Sequence, residues 1–176
     1  SVTSIGSSAF YNTSWYNNKS DGVIYIGKVL YRYKGTMPQG TNISVKEGTL
    51  SITSCAFEDC RNLTSITIPE SVTNIGNQAF YNCTGLTSIT SLIPAESLFT
   101  IDNLVFYFVN NSTLYVPAGA KATYEVTKGW NRVANIVEIE SGDGETNSVE
   151  DVKSENGRVK GVHYDLGGRV VENPTS

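Results

Sequence analysis

Apolar residues recur along this chain on two periods at once. Locally they alternate: Ile66 and Ile68 enclose Thr67, a two-residue pattern that predicts a strand with the isoleucines inward and the threonine outward. At longer range whole phrases return. CRNLTSIT, starting at Cys60, comes back as CTGLTSIT from Cys83, a shift of 23 residues. The same shift carries Ile43 to Ile66 and on to Ile89, Phe57 to Phe80, and Pro94 to Pro117. Residues 2–12, VTSIGSSAFYN, repeat residues 72–82, VTNIGNQAFYN, at an offset of 70, three periods plus one residue, so an insertion lies between them. IDNLVF at 101–106 echoes IGNQAF at 75–80, shifted by 26.

A single repeat of this length cannot bury its apolar face, whereas stacked repeats share a continuous core. Each repeat is therefore expected to run as a short strand, a turn at Pro69-Glu70, a return through Val72 and Ile75, and a far side filled by Ala79 and Phe80. Ile43, Ile66 and Ile89 should form one buried column, and Phe57 and Phe80 another. A period in the twenties with Leu63-x-x-Ile66-x-Ile68 is a leucine-rich-repeat signature. The expected fold is a mainly β, right-handed repeat solenoid of four to five units, carrying a β-hairpin insertion and a small C-terminal cap.

The fuller pattern is Ile-x-Ile-Pro-x-x-Val-x-x-Ile-Gly-x-x-Ala-Phe-x-x-Cys-x-x-Leu. It resembles the BspA-like (Treponema-type) leucine-rich repeat over residues 1–139, most closely at 43–90. That resemblance implies a secreted or cell-surface protein of bacterial origin that binds other proteins or adheres, and not an enzyme.

Four segments depart from the repeat. Residues 23–34, VIYIGKVLYRYK, alternate on both sides of Gly27-Lys28 and predict a hairpin with a type II′ turn, within an insertion over about 20–40. Its rings, Tyr25, Tyr31 and Tyr33, either cover the flank of the stack or form a protruding contact edge. Residues 118–129 read as a short helix stopped at Gly129, with Trp130 folding back to cap the last repeat, in a closing segment over 114–139. Residues 140–148, ESGDGETNS, read as a polar linker. Residues 149–176 carry two short strand-like runs around Gly167-Gly168; YDLGGRVV there is similar to the start of the C-terminal sorting segments of Bacteroidetes proteins. The chain opens in mid-repeat, so further sequence is expected before it.

Composition narrows the chemistry. Among 176 residues the charged fraction is 17% and the net charge is −4, which leaves no basic footprint for nucleic acid. No apolar run reaches the roughly 18 residues of a membrane span. There are three cysteines and one histidine. Cys60 and Cys83 occupy equivalent slots on adjacent repeats, about 4.8 Å apart by strand spacing. The same slot holds Thr13 in the first repeat, so it selects a small side chain, and both cysteines are expected as buried free thiols. His163 has no serine–histidine–carboxylate setting. No catalytic, cofactor-binding or metal-binding residues are expected.

The leading functional expectation is a secreted or surface-attached adhesion module whose partner is a host or bacterial surface protein or a glycan. Candidate contacts are the hydroxyl row Ser65, Thr67, Ser88 and Thr90, and the hairpin rings Tyr25, Tyr31 and Tyr33. Solvent-facing strand positions favour Ser and Thr even without a partner, so the row has a plain structural reading too. The alternative function is a stalk or spacer that presents another domain.

Overall fold

The alternating stretches form strands, and the 23-residue shift becomes a hydrogen-bond register. A computed structural model of the chain describes residue 2 and residues 4–140, 163–164 and 170–171. The chain divides into two units, Ser1–Gly142 and Asp143–Ser176, each described by itself. In order, the first unit holds α1 (Ser14–Asn17), β1 (Gly22–Ile26), β2 (Val29–Lys34), β3 (Thr41–Ser44), β4 (Ser51–Ile52), β5 (Leu63–Ile68), β6 (Asn74–Ile75), β7 (Ser88–Ser91), β8 (Thr113–Val116), α2 (Lys121–Val126) and β9 (Asn135–Glu138).

Nine strands make two open sheets. One has the order β3-β5-β7-β8-β9 and is parallel throughout. Its register runs Ile43, Ile66, Ile89, Leu114, Ile136, one residue per repeat. The other has the order β1-β2-β4-β6, antiparallel only between β1 and β2. Its register carries Leu30 to Ile52 and Ile52 to Ile75. Ile66, Ile89 and Leu114 are buried, whereas Ile43, on the edge strand, is only half-buried.

A ladder of rings runs along the far side of the repeats. Phe57 stacks on Phe80 at 5.3 Å with rings 7° apart, and Phe80 on Phe106 at 5.4 Å and 12°. Tyr33 continues the ladder below Phe57 at 6.5 Å, and Trp130 closes it above Phe106 at 5.8 Å. Backbone conformation repeats as well. The residue two after each ladder phenylalanine has positive φ: Asp59 (60°), Asn82 (57°) and Phe108 (63°). Asn12, two after Phe10 in the first repeat, has φ 61°.

The hairpin departs from the expectation of an insertion. Gly27 has φ 57° while Lys28 is not among the positive-φ residues, which fits the type II′ turn. However, β2 pairs in parallel with β4, so the hairpin occupies a repeat's place in the stack. Only β1 lies outside the repeat pattern, as an edge strand. The first sequence repeat, residues 2–12, does not join the main core. Its Phe10 packs edge-on to Tyr31 at 5.8 Å, in a second small cluster with Tyr16 and Ile24.

At the other end the helix expected over 118–129 is shorter. Residues 118–129 give α2 only over Lys121–Val126, because the chain first turns through Gly119 at φ 75°. Gly129 adopts φ 87° and lies so close to the Ile101 carbonyl (2.4 Å from an added Cβ) that no side chain fits. Trp130 is fully buried and donates from Nε1 to the Phe99 carbonyl at 2.9 Å. Tyr124 donates to the Ile93 carbonyl at 2.7 Å and pairs with Ser91 at 2.6 Å, so the buried hydroxyls of the cap are satisfied.

Of the second unit the described part is a strand pair, β10 (His163–Tyr164) and β11 (Val170–Val171), antiparallel. The rest of the expected linker beyond Glu140, and of the sorting-like tail, lies outside the described residues.

Candidate functional site

The five-stranded sheet turns its isoleucines inward, so the alternate positions face out. Parallel register aligns them into two rows. Asn42, Ser65, Ser88, Thr113 and Asn135 form the first; Ser44, Thr67, Thr90, Tyr115 and Val137 form the second. The four expected row residues, Ser65, Thr67, Ser88 and Thr90, thus lie side by side, each half-buried. Neighbours in the first row bond laterally: Ser65 donates to Asn42 Oδ1 at 2.7 Å, and Asn135 Nδ2 to Thr113 Oγ1 at 2.8 Å. The second row ends in the exposed Tyr115 and Val137.

The hairpin rings do not gather on a surface. Tyr31 is 1% exposed. Its hydroxyl donates to the Ser7 carbonyl at 2.9 Å and accepts from the Phe10 amide at 3.1 Å, which ties the N-terminal segment to β2. Tyr31 is therefore corrected from a candidate contact to a core residue. Tyr25 and Tyr33 are half-buried and pack against the main core. The Tyr25 hydroxyl accepts from the Lys46 amide at 3.1 Å, and Lys46 Nζ sits 4.5 Å from the ring centre. Of the two readings of the rings, covering the flank is the one this packing fits, because β2 stands inside a sheet rather than projecting from it.

The three cysteines are free thiols. Cys83 is wholly buried and donates to the Phe57 carbonyl at 3.0 Å. Cys60 is only half-buried, a correction to the expectation, because it sits beside the exposed Asp59-Arg61 turn. Burial raises the Cys60 thiol to about 11 against an ordinary 9.0, and raises Cys83 further. Such thiols stay protonated and are weak nucleophiles and poor metal ligands at neutral pH. Among the described residues no group of three or more His, Cys, Asp or Glu could hold a metal ion, and no helix is long and apolar enough to cross a membrane.

One surface feature was not expected. Tyr81 and Tyr107, each following a ladder phenylalanine, stack at 5.8 Å with rings 7° apart. Phe108 stands edge-on to both, at 5.7 Å from Tyr81 and 4.4 Å from Tyr107. Tyr107 is 38% and Phe108 47% exposed. A cleft of about 270 Å³ adjoins them, lined by Phe106, Tyr107, Phe108, Asn110 and Arg132. The sequence signal was present in the AFYN phrase, whose tyrosine follows the phenylalanine at Tyr11, Tyr81 and Tyr107, with Glu58 in that slot after Phe57; its outward direction follows only from the fold.

The fold and surfaces define a β-rich leucine-rich-repeat protein built from parallel-stacked units. Residues 25–125 match the BspA type leucine rich repeat region in six copies, more than half of the chain, and the chain belongs to that family. It is also similar to a leucine rich cell surface protein from Faecalibacterium prausnitzii A2-165, with 22% identity and a TM-score of 0.36 over 65% of this chain. This chain spans 36% of that protein's crystallised length. No curated protein matches the chain.

Proposed function

We propose that this chain is a non-enzymatic interaction module of an extracellular or cell-surface protein, secreted or surface-attached, which adheres to a host or bacterial surface protein or glycan. In this reading residues 1–139 form a right-handed solenoid that closes with the segment 114–139, residues 140–148 are a linker, and residues 149–176 are a sorting-like tail of the Bacteroidetes kind. The partner docks on the five-stranded face.

The observation that carries the reading is the lateral repetition of that face. Five parallel strands hold outward Ser44, Thr67, Thr90, Tyr115 and Val137 in one row, at about 4.8 Å per strand. Such a row offers hydroxyl donors and acceptors at fixed spacing, and an aromatic anchor where the row ends. Family membership supports the location.

A panel of immobilised extracellular-matrix proteins together with a glycan array tests this. The expected result is a partner whose affinity drops in the Thr67→Lys/Thr90→Lys protein, with the circular dichroism spectrum unchanged. Unchanged affinity in that folded variant would remove the strand face as the site. The second reading, a stalk that spaces another domain from the cell, draws on the lateral bonds Ser65–Asn42 and Asn135–Thr113, which already occupy part of the polar row. Absence of any partner across both panels would favour it.

A further inference from the structure

The Tyr81–Tyr107–Phe108 patch carries a second, independent surface. Backbone geometry makes it conspicuous. In three repeats the slot two after the ladder ring, or after Phe10, has φ near +60° and holds Asn12, Asp59 or Asn82. Asn and Asp tolerate this left-handed conformation, and a bulky residue there is a genuine outlier. Phe108 occupies the same slot at φ 63°. A strained residue is normally compensated by packing, yet Phe108 is nearly half exposed and its neighbour Tyr107 is 38% exposed. The local fold therefore holds an apolar ring out toward solvent against its conformational preference. A partner that covers it would supply the missing burial.

Charge and ring orientation define that partner. Arg132 lines the cleft beside Phe108, and among the described residues neither ion pair, Arg61–Asp59 or Lys121–Glu125, involves it. A guanidinium that joins neither of these pairs, beside exposed aromatic rings, matches an acidic group set next to an apolar side chain. A sugar fits less well. A pyranose stacks on an open ring face, and Tyr81 and Tyr107 already give one face each to the other, with Phe108 inclined to them at 71° and 67°. Ring edges and a cleft suit an inserted side chain instead. Aromatic residues and arginine are also the groups that dominate protein–protein hot spots.

We propose that Tyr81, Tyr107, Phe108 and Arg132 form a docking site for a segment of another protein that presents an Asp or Glu next to an aromatic or aliphatic side chain. The site lies at the turns after the ladder rings and is distinct from the strand face of the preceding reading.

The test selects peptides from a phage-displayed random dodecamer library on the native chain, with counter-selection on Phe108→Asn. That substitution installs the residue found at the equivalent slots of Asn12 and Asn82. It should raise the melting temperature, by relieving strain, while weakening the selected peptides by about tenfold or more. Recovered peptides should carry an acid within two positions of an apolar ring or chain. Arg132→Gln should abolish the preference for that acid over its amide counterpart. Amide shifts on titrating the best peptide should centre on residues 81, 107–110 and 132, and the Thr67→Lys/Thr90→Lys protein should bind it normally. A lower melting temperature for Phe108→Asn would make Phe108 a structural residue and overturn the proposal. So would failure to enrich any peptide, enrichment of peptides without an acid, shifts elsewhere, or maltohexaose moving the same amides in place of peptide.

Discussion

Phe80 shows what one residue contributes in a stacked core. It is fully buried between Phe57 and Phe106, with ring centres 5.3 and 5.4 Å away. Truncation to alanine opens a cavity flanked by two rings that cannot both collapse into it. Phe80→Ala should cost about 3–5 kcal/mol, read from urea or thermal unfolding. A loss below about 1 kcal/mol would show that the ladder is not a core element. Two thiols and a tyrosine make a second residue-scale prediction. Cys60, raised to about 11, the more strongly raised Cys83, and Tyr124, raised by burial to about 12 and partly offset by its Ser91 bond, all hold their protons more tightly folded than unfolded. Their unfolded values are 9.0 for the thiols and 10.0 for the tyrosine. The unfolded chain therefore ionises first. Stability from these groups is complete below pH 9 and falls as pH rises through about 9 to 12. Denaturation midpoints measured from pH 7 to 11 should be flat and then drop, and a rise over that range would contradict the burial. Native labelling with a neutral maleimide at pH 7 should leave Cys83 untouched and modify Cys60 slowly; rapid reaction of Cys83 would place it outside the core.

At the scale of an element, equivalence in sequence is not equivalence in space. Gly6 and Gly76 hold the same place in the repeated phrase VTSIG/VTNIG. Gly76 lies against the preceding repeat: an added Cβ would meet the Ser54 amide nitrogen at 2.3 Å, and its own amide donates to the Ile52 carbonyl at 2.8 Å. Gly6 has nothing within 4 Å. Gly76→Ala should therefore destabilise by about 1–3 kcal/mol, whereas Gly6→Ala should be close to neutral, both by chemical denaturation. Equal effects would mean that the repeats do not stack in this register. The hairpin teaches the same lesson. Its period-two alternation and Gly27 were legible in the sequence, but not that β2 would pair with β4 and take a repeat's place. The residues that decide this pairing, Ser51 and Ile52, lie about 20 positions away.

For the whole molecule, the repeat spacing decides what can be exposed. Parallel register brings one residue from every repeat to the same row, so a choice made at Thr67 is made again at Thr90. The charges are sparse and the two ion pairs among the described residues are exposed, so neither of the two sheets of the first unit depends on electrostatics for its stability. Raising salt from 0.05 to about 0.5 M should move the melting temperature by only a few degrees, since exposed pairs are already screened at physiological strength. A large fall would reveal charge pairing that holds the repeats together.

Periodicity alone predicts the repeat length, the buried column through Ile66 and Ile89, and the meeting of Phe57 with Phe80; it also placed Ile43 in that column, where the edge strand leaves it half-buried. Residues one repeat apart must meet when repeats stack. The tertiary structure alone decided the rest. It buried Tyr31 beneath the N-terminal segment, left Cys60 half-covered beside an exposed turn, set Gly76 against a neighbouring backbone and Gly6 against none, and turned Phe108 outward at positive φ. The reason is common to all four. A repeat phrase encodes its own path, but burial depends on what stacks above and below it, and that neighbour is contributed by another stretch of the chain.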